Sequence, residues 1–356
     1  MYLLINPSEN PMEAAFTGDA VSDGGGGSEM SKSLAVITCT ALAIFYVAIL
    51  YSPTLILRLQ PPDSFQSYMI RRFICAAISS VFSLIACSLI LPIQWGKSHL
   101  FSVYGIRLDH MWQAVVFPLT LTSLMYAGTL ILKLLLLLDS GQEDRENGRS
   151  LSLDSIKNVV YEFIESTFSL ASDISAWRNY LVAPLTEELV FRACMIPLLL
   201  CGGFSTYTVV FLCPIFFSLA HLNHLLEYAQ RSGSWPKAFA VVGFQLGYTV
   251  IFGSYASFLF VRTGHLTAPL VAHIFCNYMG IPIIISRRTG TRRNCQGAPK
   301  LGRNSKIARF TSGMVTVASV AGLLGFLWLL FPLTTPHLYN AITDNCMCWH
   351  RYCSWS

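Results

Sequence analysis

The sequence predicts an all-α fold: a polytopic integral membrane bundle of about eight transmembrane helices. Three observations carry the expectation. Only 12% of the 356 residues are charged, where soluble domains carry roughly 25%, so a water-facing globule of this size could not be covered. Hydrophobic residues make up 53%, and the mean hydropathy is +0.52. The apolar residues also come in long runs, which argues for one embedded bundle rather than two soluble domains.

Residues 1–33 hold five acids against one lysine and the Gly24–Gly27 run, the composition of a disordered tail. They lack the basic start and apolar core of a secretory signal, so the first membrane segment is expected to act as its own targeting signal. Eight apolar stretches of spanning or near-spanning length follow, at about 34–57, 70–93, 111–138, 178–201, 205–220, 238–262, 266–286 and 310–333. The stretch at 178–201 carries charge and that at 205–220 is short, so these two are the weakest. Gly243 and Gly247 have the small-xxx-small spacing that lets two helices approach closely. The membrane domain is thus drawn over 34–333, with a separate tail at 334–356.

The loops set the orientation. Residues 287–309 contain eight Lys or Arg and no acid, and the positive-inside rule places that loop in the cytoplasm. The mixed-charge stretch 139–178 reads as a helix lying beside the membrane. Eleven cysteines without a CxxC pair, most of them in apolar runs, read as small hydrophobes rather than a disulfide framework or structural zinc site. Nothing has the pattern of a nucleic-acid module.

Ionisable groups at bilayer depth cost several kcal/mol unless paired or hydrated, and three apolar stretches carry them. In Pro184-Leu-Thr-Glu187-Glu188-Leu-Val-Phe-Arg192, Glu188 and Arg192 are i,i+4 and can pair. Glu187 lies about 100° round the helix, with no partner in its own stretch. A carboxylate without a partner in apolar surroundings is the kind of group that serves as general base, although both acids could equally be ion-paired within the bundle. In Phe217-Ser-Leu-Ala-His221, the histidine ends an apolar run with Phe217 one turn earlier, a place where packed histidines are also common. In His273-Ile-Phe-Cys276-Asn277, His273 and Asn277 share a face. They could donate to a developing oxyanion or cement helix packing. Gathered in one cavity, these groups would satisfy each other and hold a water, an arrangement suited to hydrolysis.

Glu187-Glu188-x3-Arg192, Phe217-x3-His221 and His273-x3-Asn277, in that order on separate apolar stretches, resemble the type II CAAX prenyl endopeptidases. These are the Ras-converting proteases of the endoplasmic reticulum, within the wider abortive-infection-like group of membrane proteins. The stretch from Arg262 to His273 and Cys276 beside Asn277 strengthen the likeness, which covers about 184–280. The resemblance implies a membrane-embedded protease with its catalytic cavity inside an eight-span bundle, open to the cytosol. It would remove the last three residues of prenylated CaaX proteins such as Ras-like small GTPases. It further implies that Glu187, with His221, activates water, that His273 and Asn277 hold the oxyanion, and that Glu188, Arg192 and Phe217 support them. A prenyl chain contributes roughly 0.8 kcal/mol per buried CH2, which would favour modified substrates.

Other chemistries compete. Cys276 as nucleophile sits in an apolar run where a thiolate is disfavoured. Zinc would need about three ligands; Glu187, His221 and His273 could supply them, but the HExxH spacing is absent. The expectation is therefore a cofactor-free mechanism, with zinc as the alternative. A transporter would call for repeat symmetry or broken helices, and the sequence suggests neither. A non-catalytic prenyl-binding scaffold is the remaining rival.

Overall fold

The computed structural model describes residues 30–55, 62–91, 100–146, 172–222, 232–283 and 305–339, with a few single positions between them; the side chains of 54–55, 100, 137–146 and 305–309 are not included. Among the described residues there are helices and turns and no strand. The helices are α1 (Lys32–Leu55), α2 (Phe65–Ile90), α3 (Met111–Met125), α4 (Ala127–Glu146), α5 (174–201), α6 (Thr206–Leu219), α7 (Trp235–Thr263), α8 (Thr267–Met279) and α9 (Ser305–Leu333). Every one of the eight apolar stretches falls on one of these helices or on the α3–α4 pair. Four described helices are long and apolar enough to cross a membrane, or five if α3 and α4 form one span. α6 and α8 have 14 and 13 residues, below the roughly 20 that a straight crossing takes, whereas α5 is long enough but is interrupted by π-helical segments and carries Arg178, Glu187, Glu188 and Arg192.

α3 and α4 meet at 77°, so a broken helix is present where the sequence suggested none. Tyr126 leaves helical geometry at φ −98°, ψ 12°. Its buried ring anchors the break, with the hydroxyl donating to the Gly280 carbonyl at 2.5 Å. The close helix approach also lies elsewhere than at Gly243 and Gly247, where an added Cβ would meet nothing within 4 Å. Instead, a Cβ on Gly128 would overlap Ser319 of α9, and one on Gly322 would overlap the Leu124 carbonyl. Those two glycines let α9 lie against the α3–α4 break.

The core is built round the second half of α5. Every residue from Val190 to Cys201 is buried, as expected of a helix apolar on all sides, with α1, α2, α6 and α7 packed about it. Large apolar side chains on α1, α2 and α9, among them Ile37, Leu89 and Trp328, face outward. A soluble surface does not carry such patches; here they are the face offered to lipid. Cys201 is disulfide-bonded, unlike the other described cysteines, so it is not simply a small hydrophobe. Helix α1 begins at Lys32, just inside the expected N-terminal tail, and the 334–356 tail starts with a 3-10 turn at Pro336–Tyr339 whose Tyr339 is buried. The rest of both tails, most of the basic loop and most of the 139–178 stretch lie outside the described residues.

Candidate active site

The carboxylates sit where α5 is least regular. Two π-helical segments, Arg178–Val182 and Leu189–Cys194, flank the α-helical Ala183–Glu188. Each π segment runs up to a proline, Pro184 or Pro197. A proline lacks the N–H and its ring crowds the carbonyl four residues back, and the wider i→i+5 turn relieves that crowding. In the first segment the Ala183 N–H accordingly donates to the Arg178 carbonyl. The stretch is tied to α1 through Tyr46, whose hydroxyl is 3.0 Å from Thr186 Oγ1.

Glu187 and Glu188 face different surroundings. Glu188 is fully buried, with Oε1 3.1 Å from Arg192 Nη1 and 2.7 Å from His273 Nδ1. The Arg192 guanidinium, also fully buried, lies over the Phe217 ring at 4.5 Å and 6.0 Å from that of Phe252. Gly253 makes room for it, since a Cβ there would come within 3.1 Å of Arg192 Nη2 and 2.9 Å of Pro214 Cβ. Neither Glu188 nor Arg192 lines the cavity, so the two form a charged layer behind its wall. Glu187 keeps 17% of its side-chain surface and opens into the cavity. Its partner comes from another helix: His273 Nε2 lies 3.7 Å from Glu187 Oε2. That exceeds hydrogen-bond length, so the two groups flank one space without consuming each other.

The histidine tautomers follow from their neighbours. A carboxylate and a carbonyl only accept, so the Nδ1–H of His273 donates to Glu188 and the Nδ1–H of His221 donates to the Phe217 carbonyl at 2.9 Å. In each neutral ring Nε2 is then the basic nitrogen. His221 stands on the 3-10 turn after α6, its ring edge-on to Phe217 with centroids 4.8 Å apart. Asn277 shares a helix face with buried His273 but is itself exposed, and its Nδ2 donates to the Asn179 carbonyl at 2.8 Å. An amide has two such N–H groups, so one remains for a ligand.

Glu187, His221, His273 and Asn277 line one cavity of about 430 Å³, together with Tyr248 and Phe217. Among the described residues no group of three His, Cys, Asp or Glu side chains is arranged to hold a metal ion. Sequence reasoning brought out four of the polar cavity residues, Glu187, His221, His273 and Asn277, and the Glu188–Arg192 pair. It missed the Glu188–His273 bond, the Asn179 carbonyl, Gly253 and Tyr46. Pairs separated by 85 to 140 residues leave no local signal.

The fold and cavity define a class: a polytopic helical membrane protein that carries a carboxylate, two histidines and an amide in a cavity among its helices. The model of the type II CAAX prenyl endopeptidase Rce1-like family matches residues 172–279, which span this site. CAAX prenyl protease 2 of Arabidopsis thaliana is 53% identical over 332 residues, covering 93% of this chain and 99% of the relative. CAAX prenyl protease 2 of Homo sapiens is 34% identical over 345 residues, 96% of this chain and 91% of that protein. The Rattus norvegicus protein of the same name is 31% identical over 313 residues, covering 87% and 82%. No solved structure matches. The chain belongs to the type II CAAX prenyl endopeptidases, enzymes whose substrates are prenylated CaaX proteins.

Proposed function

We propose that this enzyme removes the last three residues of prenylated CaaX proteins, Ras-like small GTPases among them, through a water activated by Glu187 and His221. The observation that carries the reading is the convergence of Glu187, His221, His273 and Asn277, from three separate elements, on one cavity. Water adds to the scissile carbonyl carbon as Glu187 takes its proton. The oxygen of the tetrahedral intermediate is held by His273 and Asn277. When the C–N bond breaks, the proton passes to the departing amine.

The roles suit the geometry. His273 already donates Nδ1–H to Glu188, so it offers a second N–H only as the imidazolium. Buried Glu188 is placed to compensate that charge, much as a buried carboxylate supports the histidine of a hydrolytic triad. Donors preset in a water-poor site stabilise developing charge strongly. No cofactor belongs to this scheme. The zinc-dependent version would recruit Glu187, His221 and His273 as ligands.

The site is further proposed to open to the cytosol at the endoplasmic reticulum membrane. Asn277 and Asn179 lie toward the end of α8 that leads into the basic 287–309 loop, the side the positive-inside rule makes cytoplasmic.

The test is release of the C-terminal tripeptide from a farnesylated CaaX peptide by purified protein, for wild type and Glu187→Gln, with and without a strong zinc chelator. The expected result is cleavage by wild type alone, indifferent to chelator. Loss on chelation with recovery on adding zinc would replace this mechanism with the metal one. A folded wild type that cleaves no prenylated peptide would overturn the reading in favour of a prenyl-binding scaffold.

A further inference from the structure

Among the described residues, two arginines line the catalytic cavity without an acid to pair with. Arg72 enters from α2 and Arg178 from the first π segment of α5. Among the described residues, Arg107 pairs with Asp109 and Arg192 with Glu188, whereas Arg72 and Arg178 have no carboxylate within ion-pair distance. Arg72 is half-buried and rests on Tyr68, its Nη1 donating to the hydroxyl at 2.9 Å and its guanidinium 5.7 Å from the ring centre. Among the described residues the only carboxylate lining the cavity is Glu187, which the proposed mechanism uses for water. With Arg72 half-buried and Arg178 exposed, either guanidinium can meet an anion that arrives with the substrate.

Resting on the tripeptide-release reading above, we infer that Arg72 and Arg178 bind the free α-carboxylate at the C-terminus of the substrate and so set where the chain is cut. The reach is right. A three-residue extended segment spans at most roughly 11 Å. Arg178 precedes Glu187 by nine residues of α5, roughly 13 Å of helix axis, and its own side chain can fold back toward the cavity. The π segment supports the same placement, because Arg178, Asn179, Val182, Ala183, Thr186 and Glu187 all line the cavity, as one continuous face of the helix. Arginine suits the task, since its planar fork matches a carboxylate with two hydrogen bonds. An anchor at this distance from the water-activating carboxylate would favour cutting three residues from the end. It would also disfavour internal sequences, which carry no terminal charge.

The experiment compares a farnesylated CaaX peptide as free acid and as C-terminal carboxamide, reading kcat/KM for each with purified wild type, Arg72→Gln, Arg178→Gln, the double variant and the corresponding lysine variants. Wild type should prefer the acid by about tenfold or more, the usual scale for a charge-assisted hydrogen bond. The ratio should fall toward one in the double variant, partly in each single variant, and stay mostly intact with lysine. An equal rate for acid and amide in wild type overturns the inference while leaving tripeptide release standing. So does a preference that persists in the double variant. Should the double variant cleave neither peptide, the single variants decide, and an unaltered ratio in both overturns it. A folded wild type that cleaves neither peptide overturns the underlying reading, and the inference with it.

Discussion

His273 Nδ1 lies 2.7 Å from Glu188 Oε1, a bond that joins α8 to α5 across 85 residues of sequence. The same oxygen accepts from Arg192 at 3.1 Å. Glu188 thus orients one cavity residue while its own charge is balanced from behind. Its neighbour Glu187, one residue earlier, is left facing the cavity.

This division separates the two glutamates experimentally. Glu187→Gln should lower kcat/KM by a factor of roughly 10² to 10⁴, the usual contribution of a general base, with little change in thermal unfolding. The variant is to be assayed against the farnesylated peptide and its melting followed in the same detergent. Comparable losses of activity and melting temperature would show that Glu187 is a structural ion-pair residue.

Arg192→Met should behave differently. Removing one partner leaves Glu188 buried with its charge uncompensated, a change that costs about 3–5 kcal/mol in well-studied buried pairs. A large drop in melting temperature is expected, together with lost activity. The double variant Glu188→Gln/Arg192→Met should recover part of the stability but not the activity, because His273 would lose its carboxylate. Additive melting losses across this cycle would contradict the coupling.

Glycine substitutions on α7 distinguish packing from pattern. Gly253→Ala places a methyl against Arg192 Nη2 and Pro214, and overpacking of this kind typically costs about 1–3 kcal/mol. Gly243→Ala and Gly247→Ala meet open space and should be neutral or stabilising by up to about 1 kcal/mol each through helix propensity. Melting of the three single variants checks this, and the opposite ranking would refute the packing described for α7.

His265, in the turn between α7 and α8, is fully buried with neither ring nitrogen hydrogen-bonded. Burial first, and then the nearby Arg107 cation, push its pKa down to about 4 from the ordinary 6.5. Below pH 6.5 the unfolded chain takes up a proton that the folded one refuses. Stability contributed by neutral His265 is therefore complete above about pH 6.5 and lost as pH falls toward 4. His265→Phe should flatten this acid limb by a few degrees of melting temperature. Melting curves between pH 7 and pH 4 provide the comparison, and an unchanged slope would show that His265 does not titrate in this window.

Much of the site was legible in the chain because membranes make charge conspicuous. Glu187, Glu188, Arg192, His221 and His273 stand out among apolar neighbours, and the i,i+4 spacing of Glu188 and Arg192 is a local helical relation. The all-α membrane class followed from composition and run length alone. Gly243 and Gly247 mislead for the same reason that Glu188 and Arg192 do not. A spacing defines a face of one helix, but it does not say whether another helix lies against that face.

What the sequence determined by itself was therefore the class of fold, the positions of the apolar stretches and the polar residues that need an explanation inside them, since these depend on neighbours within a turn or two of the same helix. What only the tertiary structure decided was which of those residues meet. The number of helices long enough to span, the 77° break at Tyr126, the turn of Asn277 onto the Asn179 carbonyl and the sharing of Glu188 between Arg192 and His273 all arise from contacts between distant helices. Such contacts are set by how several packed surfaces fit at once, a property that no single stretch of the chain contains.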